Sequence, residues 1–313
     1  MLVFRRLIAK VQVGSQADTV ELTEEVQETF ILHNRSFQRY AINNNTYFVP
    51  VDEDETIRLR IQHQVLNRVF DQRYIFPPIN SPRRVLDCGF GTGEVSSPFP
   101  WNTLALYQPG GIVRGIDITP HHHNPEDSLE NLYLDIDDLN MPLQFPQNHF
   151  DLVNSRLVAG GINNERWTGY IRDIFRCLRP GGWIQMVEVD MNAQSDNGAL
   201  TDNSALRQWS QTYLHAMAQC KNPRAPRQLG GWLRSAGFTD VDERMIPLPM
   251  CAWADHPRNY DIGAANQENV RMLLSSVALY PFTHYLGLSM SITEFHVLVA
   301  MARTEAADPT LKV

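Results

Sequence analysis

From Arg83 onward the chain sets short apolar runs at intervals, with polar crossovers between them. The runs are RRVLDCG (83–89), GGIVRGIDI (110–118), LYLDID (132–137), HFDLVNSRLV (149–158) and WIQMVEVD (183–190). Strands that alternate with long crossovers argue for a parallel sheet covered on both faces, a doubly wound α/β fold. Between the fourth and fifth runs, Ile171, Ile174, Phe175 and Leu178 mark one helical face, and Pro180-Gly181-Gly182 is read as its stop. LGGWLRSAGFTDVDERMIPLPM (229–250) reads as one further helix and strand.

Before the sheet, residues 1–50 are polar and weakly patterned. VDEDETIRLRIQHQVLNRVF then starts with acids, as a helix N-terminus favours, and repeats Ile57, Ile61, Val65 and Val69 every fourth position. FPPINSP follows, and its prolines at 77, 78 and 82 end that helix. Residues 190–225 and 252–305 look helical and rich in Trp, Tyr, Met and Phe. The expected division is a helical N-terminal lid (1–80), a core (81–250) with a cap insertion at about 191–228, and a helical C-terminal cap (251–313).

A net charge of −8 over 313 residues argues against a protein that tracks a nucleic-acid backbone, which needs clustered Lys and Arg. Cys88, Cys177, Cys220 and Cys251 show no metal or disulfide spacing and read as reduced thiols. There is no 18-residue apolar stretch and no leader-like h-region. A cytoplasmic protein with no membrane span is expected. His121-His122-His123 looks like a metal tripod, but consecutive residues on a turn point apart, so it reads as a surface loop and no metal is expected.

The first run ends in VLDCGFGTGE. Gly89, Gly91 and Gly93 remove Cβ atoms where a ligand would approach the backbone, at the carboxyl ends of the strands. A dinucleotide fingerprint places its third glycine one residue later and would not welcome the acid at Asp87 beside a phosphate. An acid beside a cation helps, and S-adenosylmethionine carries a sulfonium and an ammonium and no phosphate. The second strand ends in Asp117, fit to accept ribose hydroxyls, and the third in Asp137-Asp138, one of which could take the adenine amino group. Phe90, Thr92 and Ile118 complete the turns that would touch the cofactor.

VLDCGFGTGE, GIDI, YLDIDDL, FDLVNSR and CLRPGGWIQMVE together resemble the class I S-adenosylmethionine-dependent methyltransferases, with a Rossmann-like core. YFVPVDEDETIRLRIQH (47–63), GAANQENVRMLL and LGLSMSITEFHVLVAMARTEA resemble the fungal LaeA-like methyltransferases of secondary metabolism, over about residues 40 to 305. The resemblance implies that Tyr47 and Arg58 close over the cofactor. The chain departs from the family at Pro98 and Pro100, where an apolar helix usually follows the glycines, and at DPTLKV, where a final sheet strand is usual.

Methyl transfer is an in-line displacement that needs alignment and dryness, with a base only for some acceptors. Asn154, Ser155 and Arg156 leave the fourth strand where cofactor and acceptor should meet. Glu188 and Asp190 leave the fifth. His215, Tyr280 and His284 are candidate bases from the cap. The expected activity is methylation of a small natural product, oxygen first and then nitrogen, sulfur or carbon, with S-adenosylhomocysteine as product. Aromatic cap helices could pair in a homodimer. Two rivals are a regulator of this fold acting through protein partners and an enzyme using the bound cofactor for a rearrangement without methyl transfer.

Overall fold

The computed structural model describes residues 27–91, 111–119, 130–284 and 288–313. A small antiparallel hairpin, β1 (Thr29–Leu32) and β2 (Arg35–Gln38), comes first, followed by a short helix, α1 (Arg39–Asn43). The first segment is therefore not purely helical, as the lid assignment had it. Its Phe37 and Phe48 are buried, which is what gives so short a hairpin a reason to form.

Helix α2 (Glu53–Val69) starts where the acids predicted. The Asp52 side chain accepts from Glu55 N at 3.1 Å, and Arg35 grips the same carboxylate at 2.6 and 2.7 Å, so the cap also ties the helix to β2. The apolar stripe holds at Val65 and Val69, but Ile57 is 37% exposed.

Five parallel strands make the sheet: β3 (Arg84–Cys88), β4 (Ile112–Asp117), β5 (Leu132–Ile136), β6 (Phe150–Arg156) and β7 (Leu178–Val187). Their order is β5-β4-β3-β6-β7. The chain reverses its direction of travel across the sheet between β3 and β6, so the carboxyl ends around β3 are where such a sheet binds ligands.

Helix α3 (Trp167–Cys177) lies between β6 and β7 and buries Trp167, Tyr170, Ile171 and Ile174. Phe175 is 44% exposed and Leu178 has already entered β7, so neither belongs to the buried helical face. Pro180-Gly181-Gly182 is not a stop either. The register jumps from Phe150↔Leu178 to Leu152↔Trp183, so these residues form a bulge inside β7, with Gly181 at φ 77°. Helix α5 (Leu229–Ala236) forms as expected, but residues 238–250 form no strand.

The remaining helices are α4 (Ala205–Met217), α6 (Pro257–Ser276), α7 (Leu279–Thr283) and α8 (Ile292–Ala306). Their apolar faces pack with Phe37 and Phe48 into one core that includes Trp209, Tyr213, Leu274, Phe282 and Phe295. Lid and cap thus share a single hydrophobic cluster beside the sheet. No helix among the described residues is long and apolar enough to cross a membrane. The four cysteines are free thiols.

Candidate active site

Three residues opposite one another on adjacent strands, Asp87, Asn154 and Gln185, build one wall. Asn154 Nδ2 donates to Asp87 Oδ1 at 2.6 Å, and Gln185 Nε2 donates to Asn154 Oδ1 at 2.8 Å. Gln185 Nε2 also reaches Tyr74 O at 2.8 Å, while its Oε1 accepts from Phe76 N at 3.0 Å. The amide row therefore fastens the acid to the linker before the sheet. Burial pushes the Asp87 carboxyl up to about 6, against the Asn154 hydrogen bond and the positive charge of Arg156. Burial also lowers Arg156, which Asp87 and Tyr74 oppose.

The turn after β3 is shaped around two glycines. Gly89, at φ 77°, donates to Ile116 O at 2.8 Å, and a Cβ there would stand 2.5 Å from Val158 Cγ1. Gly91, at φ 69°, would place a Cβ in open space. Phe90 is buried against Gly115. Thr92 and Gly93 lie outside the described residues, as do Pro98, Pro100 and the histidines at 121–123.

Asp117, at the end of β4, accepts Gly91 N on Oδ2 at 2.9 Å and Thr119 N on Oδ1 at 3.0 Å. A carboxylate offers about four lone-pair sites, so two remain for a diol. Ile118 O accepts from Gln38 Nε2 at 3.1 Å, which brings β2 down onto the site. Asp138 is already spent. It takes Tyr40 and Thr46 hydroxyls on Oδ2 and both Asn140 N and Nδ2 on Oδ1. Asp137 is half-buried, with Oδ1 accepting Asp138 N at 2.9 Å.

Tyr47 and Arg58 do come to this place. Tyr47 is pushed above its ordinary value by burial and by the carboxylates of Glu55 and Asp117, with Arg58 pulling the other way. Arg58 is buried and committed to Glu55 at 2.7 Å, to Asn269 Oδ1 at 3.2 Å and to Gln62 Oε1, so it supports Tyr47 from behind. Tyr213 faces the same group, stacked on Trp209 at 5.4 Å.

Other candidates fall elsewhere. Ser155 alternates to the opposite face of β6, fully buried with its hydroxyl 3.0 Å from Tyr170 Oη. His215 and His284 are exposed. His284 packs against His33 and Tyr280, and Tyr280 stacks on Phe48 within the shared core. Glu188 accepts Val158 N at 2.9 Å and Ala159 N at 3.2 Å, and burial pushes it up to about 8.

Sequence reasoning missed Gln185, Gln38 and Thr119. Gln185 had a signal, a lone amide inside an apolar strand. Thr119 had none; its hydroxyl is buried and has no partner among the described residues. Among those residues no cluster of three metal-ligating side chains is placed to hold an ion. A cleft of about 1650 Å³ runs beside β7, and its lining includes Gln185, Glu188, Met191, Trp209 and Asn269.

A model of the family described as a methyltransferase domain matches residues 61–243. The chain belongs to that family. It is a LaeA-like class I methyltransferase that uses S-adenosylmethionine. The secondary metabolism regulator laeA of Monascus pilosus is 31% identical over 288 residues, 89% of this methyltransferase and 74% of the relative. The protein-methionine methyltransferase laeA of Emericella nidulans is 28% identical over 252 residues, 78% of this chain. The methyltransferase spans 64% of that relative's length. A solved S-adenosylmethionine dependent methyltransferase from Mesorhizobium loti aligns over 52% of this chain and 77% of its own, at 19% identity and a TM-score of 0.37.

The residues fit the cofactor. Acids stand at or just after the ends of three neighbouring strands, Asp87, Asp117 and Asp137, a Cβ at Gly91 would meet open space, and the Thr119 hydroxyl is buried with no partner among the described residues.

Proposed function

We propose that this methyltransferase works in secondary metabolism on an acceptor that has no proton to lose in the transfer, a protein methionine thioether first of all. The observation that carries this reading is the exposure of His215 and His284, the two histidines that the cap offered as bases. Glu188 does not replace them, since a carboxyl raised to about 8 is protonated at neutral pH. A thioether needs no base. The Emericella nidulans relative carries the name protein-methionine methyltransferase.

S-adenosylmethionine, when bound, supplies a methyl group already activated by the sulfonium. Asp87 holds the ammonium of its amino-acid end, in a position set by Asn154 and Gln185. Arg156 takes the carboxylate beside it. Asp117 accepts the ribose hydroxyls. Asp137 takes the adenine amino group, because Asp138 has no acceptor to spare. Tyr47, backed by Arg58, closes over the ribose side and keeps water away, which is most of what an in-line displacement asks of a protein.

A hydroxyl on a small aromatic natural product is the second reading, favoured by the stacked Trp209 and Tyr213 rings. Methyl-labelled S-adenosylmethionine should label a methionine-containing peptide and leave its norleucine counterpart unlabelled. Label on phenolic metabolites alone would give the second reading first place. Binding of cofactor with no label on either class would refute methyl transfer to both.

A further inference from the structure

Thr46 immediately precedes Tyr47, and all three of its polar groups are held. Its N–H donates to Ala41 O at 2.8 Å and its hydroxyl to Asp138 Oδ2 at 3.3 Å. Its carbonyl accepts from Lys221 Nζ at 2.8 Å. Lys221 is 2% exposed and comes from the segment just after α4. It spends its other two protons on Gly161 O at 3.0 Å and Asn163 Oδ1 at 2.6 Å. An ammonium has three donors, and here all three are used on neutral acceptors.

The anchor points are themselves fixed. Asn163 pairs with Lys221 through a backbone bridge, and Asn164 N donates to Cys220 O at 2.9 Å. Asn140 links the same knot to the β5 end, with Nδ2 on Asp138 Oδ1 at 2.8 Å and Gly161 O at 2.9 Å, while Asn163 N donates to Asn140 Oδ1 at 2.7 Å. One buried cation thus joins the lid, the loop after β6 and the cap. Burying it is costly: burial pushes Lys221 down to about 8, with Asp138, Glu165 and Cys220 acting against that. An apolar side chain of similar length would pack there without that cost. What only lysine adds is three donors converging on three separate segments.

We propose that Lys221 is a positioning residue for cofactor binding, stapling the Thr46 carbonyl to Gly161 and Asn163 so that Tyr47 stands over Asp117. The proposal rests on the cofactor site described above and adds a residue that touches neither cofactor nor acceptor. Its effect falls on the adenosine half of the ligand, because Tyr47 and Asp117 lie at that end.

The test is Lys221→Met, which keeps length and removes the donors, titrated calorimetrically with S-adenosylhomocysteine and with 5′-methylthioadenosine. Both affinities should fall by the same factor, about tenfold or more. Backbone hydrogen exchange at residues 46–49 should speed up while residues 152–155 in β6 keep their protection. Generic loosening would not sort the losses in this way. Unchanged affinity for both ligands in the folded variant overturns the proposal, and so does exchange that rises evenly through the sheet. If Lys221→Met does not fold, Asn163→Ala keeps the lysine and removes one acceptor. It should give smaller changes in the same places, and no change at 46–49 would refute the staple. Failure of the wild-type protein to bind either ligand would instead remove the cofactor site itself. The exchange measurement needs no ligand and still reports on the staple alone.

Discussion

Asp87→Asn should weaken the cofactor and strengthen the ligand-free protein. The residue is 3% exposed, and burial pushes its carboxyl up to about 6. An acid with a raised folded pKa binds its proton more tightly folded than unfolded. Its contribution to stability is therefore full in acid and lost as pH rises through about 6, then flat. A rise of roughly two units, at about 1.4 kcal/mol each, leaves the charge costing on the order of 2–3 kcal/mol at neutral pH. Asparagine keeps the size and the oxygen that Asn154 Nδ2 needs, and it has no charge to bury. The melting temperature of the ligand-free variant should rise by roughly a few degrees. The same carboxylate gives an arriving ammonium a charge-assisted hydrogen bond worth about 1.5–3 kcal/mol, so S-adenosylhomocysteine should bind about 10- to 150-fold more weakly to the variant. 5′-Methylthioadenosine, which lacks the amino-acid end, should bind both proteins alike. Scanning fluorimetry and calorimetry read the two halves separately. A lower melting temperature would mean that Arg156 already satisfies the carboxylate in the ligand-free protein. Equal affinity for S-adenosylhomocysteine would remove Asp87 from the ammonium.

Glu188, raised from 4.5 to about 8, loses its stabilising contribution as pH climbs between those values, so wild-type melting temperature should lose ground to that of Glu188→Gln from about pH 4.5 to about pH 8 and run parallel to it above that. Parallel slopes over the whole of that range would mean that the two backbone N–H donors keep Glu188 ionised throughout. Gly89→Ala places a Cβ 2.5 Å from Val158 Cγ1 at a φ of 77° and should cost about 2–4 kcal/mol in urea melts. Val158→Ala in the same chain should recover the steric part and leave the backbone part; no recovery would put the whole cost on φ. His215→Ala and His284→Ala should each leave methyl transfer within about twofold of wild type, since exposed side chains away from special features change little. A large loss in either would restore a histidine base and reverse the order of acceptors given above.

The strands were legible because each is an apolar run closed by a chemically distinctive residue, and Asp87, Asp117 and Asp137 all sit at such closures. The bulge in β7 was not. Pro-Gly-Gly is a strong breaker in isolation, yet Leu178 and Arg179 already pair beside Phe150 and Asp151, and the sheet absorbs the glycines as extra residues. The hairpin at 29–38 escaped for a different reason. Its strands are four residues long, its turn is His33-Asn34, and its stability comes from Phe37 meeting helices more than two hundred residues away. That Asp138 is spent was not legible either, because only the positions of Tyr40, Thr46 and Asn140 show its oxygens taken.

The two-residue period of a strand explains how site and core share the same few positions. Asp87, Asn154 and Gln185 form one row, and Cys88, Ser155 and Met186 form the next, displaced by a single residue and turned to the other face. The first row makes a chain of amides ending in an acid. In the second, Cys88 and Ser155 are buried against Tyr170, where burial pushes the Cys88 thiol up to about 12 and the Ser155 hydroxyl is consumed locally. A motif read as consecutive letters, Asn154-Ser155-Arg156, therefore divides into two residues beside Asp87 and one against Tyr170. Asp87 and its amides are held by strands on both sides, whereas Tyr47 follows Thr46, which hydrogen bonds to Ala41, Asp138 and Lys221 hold. The contacts on Thr46 reach it from the segment after α4, and through Lys221 they extend to the loop after β6.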